Sequence, residues 1–238
     1  MAMDTRKISP IRRGKDRGEN LADRIYNQLK QDIFEFRLLP GDRFSDNEIA
    51  ERVQASRTPV REALFRLQRE GYVDVLYRSG WQIRPFDFKS FEDLYDVRII
   101  IETAAVKRLC EMEVPPATLN DLKQIWLVPA GERLSDGATV SQLDERFHEM
   151  LVEGTGNVEM AQMHHAVTER IRIIRRLDFT KPPRIDATYT EHGKILRAVL
   201  QRRADQGQLL LKTHIEESKA EVRKITVHML HTARRGPE

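Results

Sequence analysis

The sequence predicts a mainly α-helical protein in two parts, a small helix-turn-helix unit closed by a β-hairpin and then an all-α antiparallel bundle. Three observations predict it. Between residues 38 and 80 a short amphipathic helix, a tight turn, a second helix and two strand-like runs follow one another. From residue 91 onward, apolar residues recur at helical spacing with no convincing alternating run. Finally, the 238 residues exceed what a helix-turn-helix unit occupies, so a second domain is expected.

The N-terminal stretch, residues 1–18, is charged and reads as a flexible basic arm. In the unit that follows, residues 19–84, Ser45-x-x-Glu48 has the form of a capping box, and Ile49, Ala50 and Val53 give the first apolar stripe. Gln54-Ala55-Ser56 turns the chain. Ser56 stands where it could cap the second helix, whose apolar stripe is Val60, Ala63, Leu64 and Leu67. That stripe leaves Arg57, Thr58 and Arg61 at the helix start and on its open side, where a helix in the major groove reaches phosphates and guanine acceptors. Gly71 stops the helix, Tyr72–Leu76 has strand character, Arg78-Ser79-Gly80 turns, and Trp81-Gln82-Ile83 returns. This is the layout of a winged helix-turn-helix, with Arg78 as a basic wing tip for the minor groove or a phosphate.

Residues 85–90 read as a linker, with Ser90 placed to cap a helix from Phe91. The second domain, residues 91–232, shows helical patterns over 91–111, 116–127, about 138–153, 157–177, 187–203 and 206–231, ahead of a tail at 233–238. The breaks fall at Pro115-Pro116, Pro129–Gly137, Gly154–Gly156, Lys181–Arg184 and Asp205–Gly207, and Arg133–Gly137 reads as a polar loop or a disordered stretch. Six helices with short connections make an antiparallel bundle.

A net charge of +3 excludes a histone-like polycation, so any positive field is local, as at Arg57, Arg61, Arg66 and Arg69. One cysteine, Cys110, excludes an internal disulfide and a Cys-rich zinc finger and points to a reducing cytoplasm. No apolar signal core opens the chain, and no run approaches the ~20 apolar residues that span a bilayer, so a cytoplasmic protein with no membrane partner is expected.

Several polar residues lie on apolar faces of the bundle. Asp144 and His148 are four apart beside Phe147 and Leu151; His192 is in register with Ile195, Leu196 and Val199; and His214 with Leu211, Ser218, Val222 and Ile225. A carboxylate and three neutral imidazoles converging in a bundle suit a divalent transition metal, although each alone is commonly a core residue. Arg98 sits in the stripe Leu94, Ile101, Ala105, Leu109, and a buried guanidinium needs an anion. That anion is either an internal carboxylate, Glu102 or Asp144, or a bound carboxylate held in a forked pair. Asn157 either lines the same cavity or caps a helix after Gly154-Thr155-Gly156.

The segment PGDRFSDNEIAERVQASRTPVREALFRLQREGYV resembles the DNA-binding domain of GntR-type bacterial transcription regulators, over roughly Leu21 to Arg84. The resemblance implies that Asn47, Arg57, Thr58, Arg61 and the wing residues Tyr77, Arg78 and Gly80 contact an operator. Asn47 stands where Arg is common and Ser79 where a second basic wing residue is, which bears on base preference. Residues 91–231, through FEDLYDVRIIIETAAVKRL, LDERFHEMLVEGTGN and EHGKILRAVL, resemble the FCD-type effector domain of the FadR subgroup. That resemblance implies a metal held by Asp144, His148, His192 and His214, zinc first and nickel, manganese or iron as alternatives. It further implies a small organic acid at Arg98 and Asn157, and a homodimer on a palindromic double-stranded operator. It assigns nothing to His164, His165, His228 or His231, which are expected at the surface or in ordinary packing. The expected function is a ligand-responsive regulator acting as a repressor; the alternatives are a metal-sensing regulator or a metal-dependent enzyme, the latter lacking a paired general base.

Overall fold

The computed structural model describes residues 20–77, 79–178, 182–222 and 224. The predicted arm, Arg78, His228, His231 and the tail lie outside them. The chain divides into two compact units that meet between Asp87 and Phe88.

The first unit opens with an element outside the 38–80 pattern. Helix α1, Leu21–Phe34, starts at Asn20, whose side chain accepts from the Asp23 backbone N–H at 2.8 Å, and it buries Ala22, Ile25, Leu29 and Ile33. Helix α2, Asp46–Val53, begins with the expected capping box: Glu48 N–H donates to Ser45 Oγ at 3.1 Å, and Ser45 N–H donates to Glu48 Oε2 at 2.6 Å. Gln54 turns the chain in the left-handed region, φ 53°. Helix α3, Arg57–Arg69, packs on α1 and α2 through Val60, Ala63, Leu64 and Leu67, the predicted stripe.

The expected Ser56 cap does not form: Ser56 has the N-cap backbone, but its side chain makes no cap hydrogen bond. Pro59 explains this. It occupies the third helical position, where the N–H that a serine cap accepts from is missing.

The wing is a three-stranded antiparallel sheet in the order β1-β3-β2, where the sequence predicts two strands. Strands β2, Val73–Leu76, and β3, Gly80–Ile83, pair with Val73 opposite Ile83 and Leu76 opposite Gly80, and β1, Arg43–Phe44, adds Phe44 opposite Trp81. A two-residue strand carries no alternation to read. Gly80 is required by this sheet: its φ is 86°, and a Cβ there would lie 2.5 Å from the Phe44 carbonyl oxygen. Gly80→Ala is therefore expected to destabilise the first unit by about 1–3 kcal/mol. Chemical denaturation of the full chain, with Trp126 replaced by Phe in both proteins so that emission reports Trp81, checks this; an unshifted midpoint contradicts it.

In the second unit the described residues form six α-helices, α4 Phe88–Glu111, α5 Thr118–Trp126, α6 Gly137–Glu153, α7 Val158–Asp178, α8 Pro182–Leu200 and α9 Ala204–Val222, and one 3-10 turn, Ala130–Glu132. Helix α4 packs on α6, α7 and α9, and α8 on α5, α6 and α9, around Val106, Phe147, Leu151, Ile171, Leu196, Leu211 and Ile215. Three boundaries differ from expectation. Helix α4 starts at Phe88, so Ser90 lies inside the helix and not ahead of it; its hydroxyl accepts from Arg170 at 3.3 Å. Helix α8 starts inside the predicted break, because proline is tolerated in a first turn whose N–H groups have no intrahelical partner. Helix α9 is described to Val222, and its predicted extension to 231 falls outside the described residues.

The stretch 133–137 is held in place. Leu134 N–H donates to the Tyr189 hydroxyl at 3.2 Å, and Asp136 caps α6 by accepting from Thr139 N–H at 2.8 Å. Cys110 is buried and unbridged. Among the described residues no helix is long and apolar enough to cross a membrane.

Candidate metal centre and nucleic-acid interface

At the start of α3, Arg57, Thr58 and Arg61 are exposed, as is Asn47 at the start of α2. Asp46, which the sequence reading passed over, reaches across: Arg57 donates to its carboxylate at 3.1 Å and Arg61 Nε lies 3.7 Å away. Both arginine side chains remain more than half exposed, so the shared aspartate aligns them without consuming them. Tyr77 is 83% exposed at the wing. Arg66 is less exposed than Arg57 and Arg61. It pairs with Asp23 at 2.5 Å and lies 3.9 Å over the Tyr26 ring, which ties α3 to α1. Arg69 stays exposed.

The bundle brings together the four residues proposed as ligands. Asp144 and His148 come one turn apart from α6, His192 from α8 and His214 from α9, all buried. His192 Nε2 lies 3.2 Å from Asp144 Oδ1 and 3.3 Å from His214 Nε2; His148 Nε2 lies 3.2 Å from His214 Nε2 and 3.7 Å from Asp144 Oδ1. One ligand atom from each residue lies within 4.8 Å of the other three. Ligands about 2.0–2.2 Å from a common ion stand roughly 3–4 Å apart. The set fits a divalent transition metal in spacing and in chemistry, three imidazoles and one carboxylate.

A second ring of carboxylates sets the tautomers. His148 Nδ1 meets Glu102 Oε2 at 2.5 Å and His214 Nδ1 meets Glu191 Oε2 at 2.6 Å, so in each ring the Nδ1–H donates outward and the Nε2 lone pair faces inward. Among the described residues His192 has no such carboxylate and its Nδ1 has no partner; its ring is fixed by stacking on Phe147, with centroids 3.8 Å apart, and by Trp126 at 4.2 Å. Arg175 holds Asp144 Oδ2, Arg98 holds Glu102 at 2.5 Å, and Arg184 holds Glu191 at 3.0 Å. Sequence reasoning named Arg98 with Glu102 or Asp144 as its internal partner; the structure selects Glu102 and gives Asp144 to Arg175. Arg175, Glu191 and Arg184 were missed, although each stands on a helix face directed at the histidines.

Burial pushes His192 well below the usual imidazole range and His214 down to about 4, which keeps both neutral and able to ligate. Burial also favours the neutral form of Asp144 and Glu102, but Arg175 and Arg98 outweigh it and hold both carboxyls well below their ordinary range. In metal-free protein, the unfolded chain takes up a proton at His214 as pH falls from 6.5 to about 4 while the folded chain does not. Stability is then full above that window and lost on acidification, by an amount on the order of a few kcal/mol. Melting of chelator-treated protein between about pH 7.5 and 4.5 is expected to show a falling midpoint; a flat or rising one contradicts the assignment.

His164, expected at the surface or in ordinary packing, is buried, and its Nε2 is 3.0 Å from Glu102 Oε1, so it joins the ring around the ligands. His165, by contrast, is exposed. Asn157 takes the capping role, accepting from Met160 N–H at 3.1 Å at the start of α7.

Two family models match the chain: bacterial regulatory proteins, gntR family, over residues 21–83, and the FCD domain over residues 93–217. The Nta operon transcriptional regulator of Aminobacter aminovorans is 30% identical over 184 residues, covering 75% of this chain and 83% of that protein. The transcriptional repressor RspR of Escherichia coli strain K12 is 25% identical over 208 residues, covering 84% of this chain and 88% of that protein. A transcriptional regulator GntR from Rhodococcus sp. RHA1 superposes with a TM-score of 0.64 at 21% identity, over 86% of this chain and 98% of that one, a likeness of fold.

Proposed function

This chain belongs to the GntR family of bacterial regulators and carries an FCD domain behind its DNA-binding head, and from that premise we propose a FadR-subgroup repressor controlled by a small organic acid bound beside a divalent transition metal. It is a transcription regulator rather than an enzyme, as its two domains and its relatives indicate. The observation that carries the sensory half is the convergence of three buried imidazoles, with His214 Nε2 lying 3.2 Å from His148 Nε2 and 3.3 Å from His192 Nε2 and the ring protons of His148 and His214 directed away. Facing lone pairs repel, and a shared cation removes that repulsion.

Asp144, His148, His192 and His214 hold the ion, which supplies a Lewis-acidic anchor for a carboxylate. Glu102 and Glu191 fix the histidine tautomers, Arg98 draws the acid's remaining charge, and Asn157 keeps the α6–α7 corner in place at the edge of the site. Helix α4 carries both Arg98 and Glu102 and begins at Phe88, directly after the DNA-binding unit. A shift of α4 on acid binding is therefore the route to the operator-reading heads of a homodimer, read through Asn47, Arg57, Thr58, Arg61, Tyr77 and Arg78.

The test is operator binding by chelator-treated full-length protein. Restoring zinc alone is expected to leave operator affinity in place, and zinc with an organic acid to lower it. Release by zinc alone makes the ion the signal and overturns the acid-sensing reading. Glu102→Gln, which removes the charge behind His148, is expected to weaken zinc retention about 10–100-fold; competition with a fluorescent chelator measures it, and unchanged retention contradicts the role given to Glu102.

A further inference from the structure

Among the described residues, the charge around the four ligands is balanced before an ion is added. Arg98 faces Glu102 and Arg175 faces Asp144 in the buried interior, Arg184 faces Glu191 at its partly exposed edge, and the imidazoles ligate as neutral groups. A divalent cation therefore leaves two positive charges uncompensated among buried side chains, a costly state.

Two of the guanidinium groups also have unused donors. Among the described residues, Arg98 Nη2 and Arg175 Nη1 make no hydrogen bond, in side chains 1% and 5% exposed. Both border the same residues: the Arg98 guanidinium lies 5.8 Å over the Tyr95 ring and binds Glu102, and the charges of Tyr95 and Glu102 act on Arg175. Thr168 stands between His164 and Arg175 on one face of α7, and its buried hydroxyl also has no hydrogen-bond partner among the described residues. Buried donors with no acceptor are uncommon, because each gives up its hydrogen bonds to water and gains none in return.

We propose that the effector is a dianion, a small dicarboxylate, with one carboxylate anchored at the ligand set and the other accepting from Arg98, Arg175 and Thr168. This rests on the metal-and-acid reading above and narrows it. A dianion cancels the two surplus charges and satisfies the unused donors together. A monocarboxylate cancels one charge and leaves either the guanidinium donors or the anchor unserved.

Calorimetry on zinc-loaded full-length protein at constant ionic strength tests it with matched pairs, propionate against malonate and butyrate against succinate, with zinc content measured afterwards. Each dicarboxylate is expected to bind at least about 100-fold more tightly than its partner, as two charge-assisted contacts imply. Arg175→Lys and Arg98→Lys keep the charge but lose the fork, and each is expected to narrow that gap about tenfold. If the monocarboxylates bind as tightly while still requiring zinc, the dianion assignment fails and acid sensing stands. If neither class binds zinc-loaded protein, acid sensing itself fails. Should a variant lose zinc, the wild-type series alone decides.

Discussion

His148→Ala is expected to abolish metal retention while leaving operator binding by acid-free protein unchanged. The substitution removes one of four ligand atoms and leaves Glu102, 0% exposed, with one partner fewer. Disturbing an outer carboxylate alone costs about 10–100-fold in affinity, so losing the ligand itself costs more. His192→Ala is expected to act likewise, with a second effect from the void beside Phe147 and Trp126. Elemental analysis after gel filtration checks both, and Trp126, 4.2 Å from the His192 ring, gives an optical signal through nickel quenching in wild type that the variants should lack. An ion retained at one per chain in both variants contradicts the ligand assignment. Operator affinity is the control, since the recognition residues belong to the other unit.

Arg61→Ala is expected to weaken specific operator binding by about 1–3 kcal/mol, the range of a bidentate contact to a base edge. Arg61 sits on the open face of α3, and Asp46 orients it without burying it. Asp46→Ala separates orientation from contact, because it keeps Arg57 and Arg61 but frees them to wander; a loss of about 1 kcal/mol or less is expected. Binding measured against a mismatched operator distinguishes the roles. A base-reading Arg61 narrows the preference for the correct sequence when removed, whereas a phosphate contact weakens both sequences alike and lowers the salt dependence. Equal affinity for the correct operator before and after the change removes Arg61 from the interface.

What was legible in the sequence follows the range of the forces involved. The capping box at Ser45 and Glu48, the stripe on α3 and the helical order of the bundle are local, and the structure has them where the pattern placed them. Ser56 shows local reasoning stopped one residue short: the signal against its cap, Pro59, was in plain view. Strand β1 was hidden because two residues pair only through tertiary contact with β3. At the candidate metal centre, the four ligand candidates were identified from helical register together with the family resemblance, and the structure places their ligand atoms within one small sphere. Their supporting ring was not foreseen. Glu191, Arg184, Arg175 and His164 come from α7 and α8, and which charge meets which across helices is decided by packing, not by spacing along one helix.

X-ray absorption on protein purified without chelator tests the central claim most directly. The account predicts one divalent transition metal per chain with three imidazole nitrogens and a carboxylate oxygen at about 2.0–2.2 Å, and no metal signal in His192→Ala. Protein that carries no ion after zinc is supplied, or a His192→Ala variant that keeps an ion in an unchanged shell, contradicts it.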